Sequence, residues 1–269
     1  MLKGIPTLGQ KDDGTNTAES IIGDDDRAIV DNPKSVATRP VCMLEFRFAG
    51  HRSSTYYGTG TLIAPRIILT AAHNVFNLKK NAKIQYARVH AGVSNGVPSA
   101  TSVVRSFKFP GNYRKKNPNS SSRFAYDYAV LLLDDLNVSN WVGSHWHLNQ
   151  MPILTTKEIK SVRANVLGYP VKSKSKTGDR VLHTDIGKIF SVDQSKKMVF
   201  YKMDTGSGQS GGPVCQFIKS SNDITLIGIH VAGYKGKKNG ARLFTSRMRE
   251  LVNKYSRELL DKYPIATNA

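Results

Sequence analysis

A serine enclosed by glycines, Gly206-Ser207-Gly208-Gln209-Ser210-Gly211-Gly212-Pro213, is the most chemically suggestive stretch of this 269-residue chain. A hydroxyl that attacks a carbonyl must stand exposed, while its own backbone N–H and that of a residue just before it face the oxygen that becomes negative. Only a tight turn with few Cβ atoms permits this, and glycines on both sides provide it. A plain hairpin turn or a phosphate cradle would use the same residues. A serine hydroxyl is also a weak nucleophile until a base takes its proton, and a carboxylate best fixes the tautomer of that base. Of the seven histidines, His73 ends the run Arg66-Ile67-Ile68-Leu69-Thr70-Ala71-Ala72-His73, a buried strand opening into a small-residue turn. Taken alone, such a histidine is more often a satisfied core residue than a catalytic one. Asp127 leads into the continuously apolar Tyr128-Ala129-Val130-Leu131-Leu132-Leu133, where a carboxylate is half buried and needs a partner. Asp134 and Asp135 close that strand as ordinary turn acids. Base, carboxylate and glycine-wrapped serine agree in type, context and order, and together they point to nucleophilic catalysis.

Short β runs separated by turn residues must carry these groups. The clearest are Val41–Phe48, Thr61–Leu69, Ile84–Ala91, Ser102–Phe107, Tyr128–Leu133, Val162–Leu167, Val181–Ile189, Met198–Met203, Pro213–Ile218, Ile224–Val231 and Ala241–Thr245. So many short strands without intervening helices indicate barrels or sandwiches rather than a parallel sheet. The period changes at the C-terminus. Met248, Leu251, Val252, Tyr255, Leu259 and Leu260 recur at helical spacing, and acids on the same helix favour docking on the β body over a membrane surface. The weakly patterned stretch from Asn137 to Thr156 is a candidate inter-barrel connection. These readings divide the chain into a polar leader (1–19), an N-terminal arm and first barrel (20–140), a linker and second barrel (141–245), and a C-terminal helix and tail (246–269).

Lys plus Arg total 39 against 20 acids, a formal net charge of +19. The first 45 residues hold 8 acids and 5 bases, so the remainder holds 34 bases and 12 acids. Such a surface attracts anionic partners. The basic clusters Arg114-Lys115-Lys116, Lys172 to Lys176 and Lys235-Gly236-Lys237-Lys238 lie in loop contexts without interleaved aromatics, which argues against specific nucleic-acid binding. No apolar run approaches the roughly 20 residues of a membrane span, and no signal-peptide pattern opens the chain. Cys42 and Cys215 form neither a disulfide framework nor a zinc motif; they could pair across the fold, though two buried free thiols are the better reading.

The segments Thr70-Ala71-Ala72-His73, Asp127-Tyr128-Ala129-Val130-Leu131 and Gly208-Gln209-Ser210-Gly211-Gly212-Pro213 resemble the three signatures of trypsin-like serine peptidases. The resemblance runs from about Ile21 to Tyr255. It implies an all-β fold of two six-stranded antiparallel Greek-key barrels of the chymotrypsin type, closed by a C-terminal helix, with the site between the barrels. It further implies that Ser210 attacks the peptide carbonyl, His73 serves as general base and then acid, and Asp127 orients His73. Gly208 and Ser210 would donate the oxyanion-hole N–H groups.

Ile21-Ile22-Gly23-Asp24-Asp25-Asp26-Arg27 and Thr59-Gly60-Thr61-Leu62-Ile63-Ala64-Pro65 are similar to the bacterial glutamyl endopeptidase branch. His230, Thr205 and Ser207, with Gly233 beside them, would then bind the acidic side chain before the scissile bond. Asp204 is a competing feature, since an acid at the base of that pocket would select Lys or Arg instead. Gln209 stands where digestive members carry an aspartate that pairs with the new N-terminus, so activation by that ion pair is not expected. Glu19 precedes Ser20, where the mature chain of the branch would begin, and residues 1–19 read as an activation leader of a zymogen. Gly58 and Asn74 occupy places where bacillary members often carry a disulfide. The resemblance thus implies a monomeric, secreted serine endopeptidase acting on peptides with acidic residues, with no cofactor and no metal. The non-enzymatic alternative is a peptidase-like protein that binds polyanions through its charge.

Overall fold

The computed structural model describes residues 20–30, 32, 35, 37–50, 54–171, 180–218, 223–234 and 236–265. The leader, the Lys172–Lys176 cluster and Lys235 lie outside the described residues.

Among the described residues, seven strands precede residue 134 apart from the short β1 (Ala28–Ile29): β2 (Val41–Phe48), β3 (Tyr56–Ala64), β4 (Ile67–Thr70), β5 (Phe76–Asn77), β6 (Ala82–Ala91), β7 (Ala100–Lys108) and β8 (Ala129–Leu133). They pair antiparallel in the order β2-β3-β4-β8-β7-β6, and a β2–β6 pairing closes the ring into a six-stranded barrel, with β5 appended to β6. A second barrel follows from β9 (Arg163–Gly168), β10 (His183–Asp193), β11 (Met198–Tyr201), β12 (Pro213–Ile218), β13 (Asp223–Gly233) and β14 (Asn239–Leu243). Its order is β10-β11-β14-β13-β12-β9, closed by β10–β9, and β1 lies along β10. The expected chymotrypsin-like pair of barrels is therefore present.

Strand alternation explains how each barrel fills and how the two meet. On β2, Cys42, Leu44, Phe46 and Phe48 enter the first barrel's interior. The opposite face offers Val41 and Met43 to the seam between barrels, where they pack with Leu69, Leu167, Cys215 and Ile229. Val166, Val199, Tyr201, Val214 and Leu243 fill the second barrel. The expected strand Thr61–Leu69 is divided, because Arg66 turns the chain with φ +66° and anchors the turn by Nε–H donation to Leu133 O at 2.8 Å. The connection between barrels runs from β8 to β9 and includes the helical turns Asn137–Val142 and Thr156–Ser161.

Thr245 caps the C-terminal helix, Ser246–Lys262, by accepting from Met248 N–H. Met248, Val252 and Leu259 then bury one stripe against the seam cluster. No helix among the described residues is long and apolar enough to cross a membrane. Cys42 and Cys215 are free and buried, and desolvation pushes the Cys42 thiol up to about 12.

Candidate active site

At the end of β4 the chain tightens into a single 3-10 turn, Ala72–Asn74, which projects His73 from the first barrel. Asp127 sits just before β8, the strand that pairs with β4, so the two residues meet across neighbouring strands. Its carboxylate holds the histidine twice. Oδ1 accepts from His73 N–H at 3.0 Å, and Oδ2 lies 2.8 Å from Nδ1. Asp127 is fully buried, whereas the histidine side chain is 30% exposed. A carboxylate bound to Nδ1 keeps the proton there and leaves Nε2 basic toward the open side.

Ser210 belongs to the loop before β12 in the second barrel and is 6% exposed. Two first-barrel groups fix its carbonyl: Thr59 N–H donates at 2.8 Å and Asn74 Nδ2 at 2.9 Å. The nucleophile loop is thereby tied to the barrel that carries the base. Gly208 has φ +101°, and a Cβ there would lie 2.5 Å from Tyr169 O, so the position accepts only glycine. The carbonyl of Ser207 accepts from Val171 N–H, and that of Gln209 from Gly212 N–H. Because C=O and N–H point oppositely across a trans peptide, the N–H groups of Gly208 and Ser210 turn away from those partners, as an oxyanion site requires.

Gly58 and Asn74 do face each other: a Cβ on Gly58 would lie 2.7 Å from Asn74 Nδ2. The amide fills the space and bonds Thr70 Oγ1 and Ser210 O. The sequence showed the missing cysteines but not this tie to the nucleophile.

His230 is fully buried on β13, and its backbone exchanges hydrogen bonds with the nucleophile loop, giving N–H to Gly212 O and taking Gly211 N–H. Its Nδ1 lies 2.7 Å from Tyr201 Oη, while Nε2 is buried with no hydrogen-bond partner. Burial first, and the charge of His73 second, lower its pKa from 6.5 to about 3 against a smaller opposing effect of the Gly240 backbone, so the free protein holds it neutral. Thr205 is equally buried, and its Oγ1 also lacks a partner. Ser207 is half-buried beside Gly208, and Gly233 ends β13 opposite Asn239.

The Asp204 carboxylate is engaged by the N-terminal arm. Its Oδ1 accepts from Ile22 N–H at 2.7 Å and its Oδ2 from Asp26 N–H at 2.9 Å, so the carboxylate faces the N-terminal arm. Desolvation holds its pKa above the usual carboxylate value despite those bonds. Gln209 Oε1 accepts from Gly206 N–H of its own loop at 2.7 Å and from Arg27 Nη1 of the arm at 3.4 Å. The start of the arm is further fastened by Asn239, which takes Ser20 N–H at 3.1 Å and donates to Ser20 O at 2.7 Å, next to the Thr205 N–H to Ser20 O bond. Asn239 and Tyr201 had no local signal in the sequence, since each is one polar atom on an otherwise ordinary strand. No group of three His, Cys, Asp or Glu among the described residues is placed to hold a metal.

Two closed antiparallel barrels, with a hydrogen-bonded His–Asp pair on one bank of the seam and a glycine-wrapped serine on the other, define a chymotrypsin-like serine hydrolase. The chain belongs to the trypsin-like peptidase family, whose domain matches residues 58–221. It is 27% identical over 246 residues to the glutamyl endopeptidase of Bacillus licheniformis, covering 87% of this chain and 69% of that one. It is 26% identical over 244 residues to an extracellular metalloprotease of Bacillus subtilis, covering 90% of this chain and 72% of that protein. Among solved structures, a Glu endopeptidase in complex with MPD matches with TM-score 0.69 at 27% identity, over 87% of this chain and 98% of the other. The Arthrobacter nicotinovorans protease Anisep matches with TM-score 0.63 at 14% identity, over 90% and 99%, a likeness of fold.

Proposed function

We propose that this trypsin-like serine peptidase cleaves peptide bonds after glutamate, and more slowly after aspartate, through an acyl-enzyme. Ser210 Oγ attacks the carbonyl carbon while His73 Nε2 takes its proton and Asp127 holds the resulting imidazolium. The N–H groups of Gly208 and Ser210 receive the oxyanion. The protonated His73 then gives its proton to the leaving amine, and water repeats the sequence to release the acid.

The observation that carries the specificity is the pair of buried, unpartnered polar atoms, Thr205 Oγ1 and His230 Nε2. Buried polar groups are normally satisfied, and a substrate carboxylate would satisfy both. With Tyr201 Oη donating to Nδ1, a neutral His230 carries its proton on Nε2 and can donate it to that carboxylate. Ser207 and the Gly233 backbone complete the proposed pocket. A buried carboxylate also needs countercharge. Cleavage between Glu19 and Ser20 would supply it as the α-amino group of Ser20, held by Asn239 beside Thr205. The 27% identity to a glutamyl endopeptidase supports the same reading, and an extracellular location is proposed from the relative named extracellular.

Peptides differing only before the scissile bond test the specificity. With Glu, Gln, Asp, Arg and Phe at that place, kcat/KM for Glu should exceed that for Gln by about 10²-fold or more, since an unpaired buried group penalises the isostere. Equal turnover of the Glu and Arg peptides would remove His230 and Thr205 from the role.

A further inference from the structure

The outward face of the first barrel carries a row of cations that begins at the site. On β3, Thr59 N–H bonds Ser210 O, and Thr59 Oγ1 donates to Gly208 O at 2.8 Å. Tyr57 lies two residues earlier on the same strand face. Across the sheet, Met43 pairs with Thr59 and His90, Glu45 with Tyr57 and Arg88, and Arg47 with Tyr86. The outward rows therefore run from the seam to open surface over four residues of β3, about 13 Å at strand rise.

Arginines occupy the two rows beyond Thr59. The Arg180 guanidinium lies 3.5 Å from the centroid of the Tyr57 ring, and its Nε is buried without a hydrogen-bond partner. Arg88 and Arg47 flank Tyr86 at 5.2 and 6.0 Å, and both are exposed. One acid interrupts them: Glu45, 3.4 Å from His90 Nε2 and held below the usual carboxylate range chiefly by that histidine. Three guanidiniums against one engaged carboxylate leave the strip positive.

We propose that this strip is a secondary substrate site, which binds acidic side chains two to four residues after the scissile bond. The inference rests on the reading of Thr205 and His230 as the pocket for the residue before that bond. That pocket belongs to the second barrel, so the leaving segment passes the opposite bank of Ser210, where Thr59 begins the strip. An extended peptide leaving along β3 presents a side chain to each outward row. Arg180, with its guanidinium over the Tyr57 ring and its Nε unpartnered, takes the first carboxylate, and Arg88 and Arg47 serve the next. The substrate class becomes acidic segments, rather than isolated glutamates in neutral sequence.

Two peptide sets separate this inference from the pocket reading. Both keep one residue before the scissile bond, whichever the panel above prefers, and carry either three Asp or three Asn after it. At low salt kcat/KM should favour the Asp peptide about three- to tenfold, and 0.5 M NaCl should abolish the preference. Arg180→Gln should reduce it, and Arg47→Gln with Arg88→Gln should remove what remains, leaving the Glu-to-Gln ratio before the bond unchanged. Should catalysis be lost in a variant, peptide binding to Ser210→Ala protein by fluorescence anisotropy reads the same ratio. Equal values for Asp and Asn peptides, or a preference that survives all three substitutions, would overturn the site. A preference that holds while Glu before the bond is not favoured would overturn only the pocket.

Discussion

His230 shows how one buried side chain ties stability to pH. The unfolded chain protonates this imidazole near 6.5, whereas the folded protein resists protonation until about 3, chiefly through burial and then through the charge of His73. Above 6.5 the residue is neutral in both states and its contribution is constant. Below 6.5 the unfolded state binds the proton first, so stability falls by up to about 1.4 kcal/mol for each pH unit until the folded form protonates as well. Thermal unfolding should show Tm decreasing from pH 6.5 toward pH 4. His230→Gln should make that decrease shallower, and an identical slope would show that another group governs it. The same residue illustrates what sequence can carry. Its place on an apolar strand after the nucleophile loop was readable, but its Tyr201 partner was not, since that contact joins residues 29 apart on strands that do not pair directly.

The elements around the site were legible to different depths. Strand β2 and strand β12 have the bounds that their apolar runs and turn residues predict, and the register shift each carries, at Arg47/Phe48 and Val214/Cys215, left those bounds unchanged. The split of β3 from β4 was hidden, since nothing in Ala64-Pro65-Arg66 marks Arg66 as the residue with positive φ. The place of Asp204 was left open for a related reason. Counting along the chain placed it at the pocket base, but the arm from Ser20 to Arg27 returns over 170 residues later in the fold to cover it. Arg27 secures that arm further by pairing with Asp25 through Nη2 at 2.8 Å. Asp204→Ala should therefore act on the arm. Limited proteolysis should cut between residues 20 and 27 sooner than in the unaltered protein, while cleavage of Arg peptides stays at background. A variant that loses glutamate preference with an intact arm would return Asp204 to the pocket.

For the whole molecule, the charge of +19 sets the approach of partners at long range. Acidic proteins should be cleaved with a kcat/KM that falls several-fold between 10 and 150 mM salt, as steering is screened over about 10 Å. Neutral peptides of the same cleavage sequence should change little, and equal salt dependence for both would indicate that the field does not steer. Composition gave this property directly, but only the barrel brought Arg47, Arg88 and Arg180 to one strip. Their separation in sequence concealed it. The Gly58–Asn74 contact bears on a different aspect of the protein's life. Where a covalent bridge would need an oxidant to form, an amide joins the two barrels at the nucleophile, and both thiols are buried and unlinked. Assembly of the site is thus redox-neutral: the chain can reach its working form, and refold to it, as readily in a reducing medium as in an oxidising one.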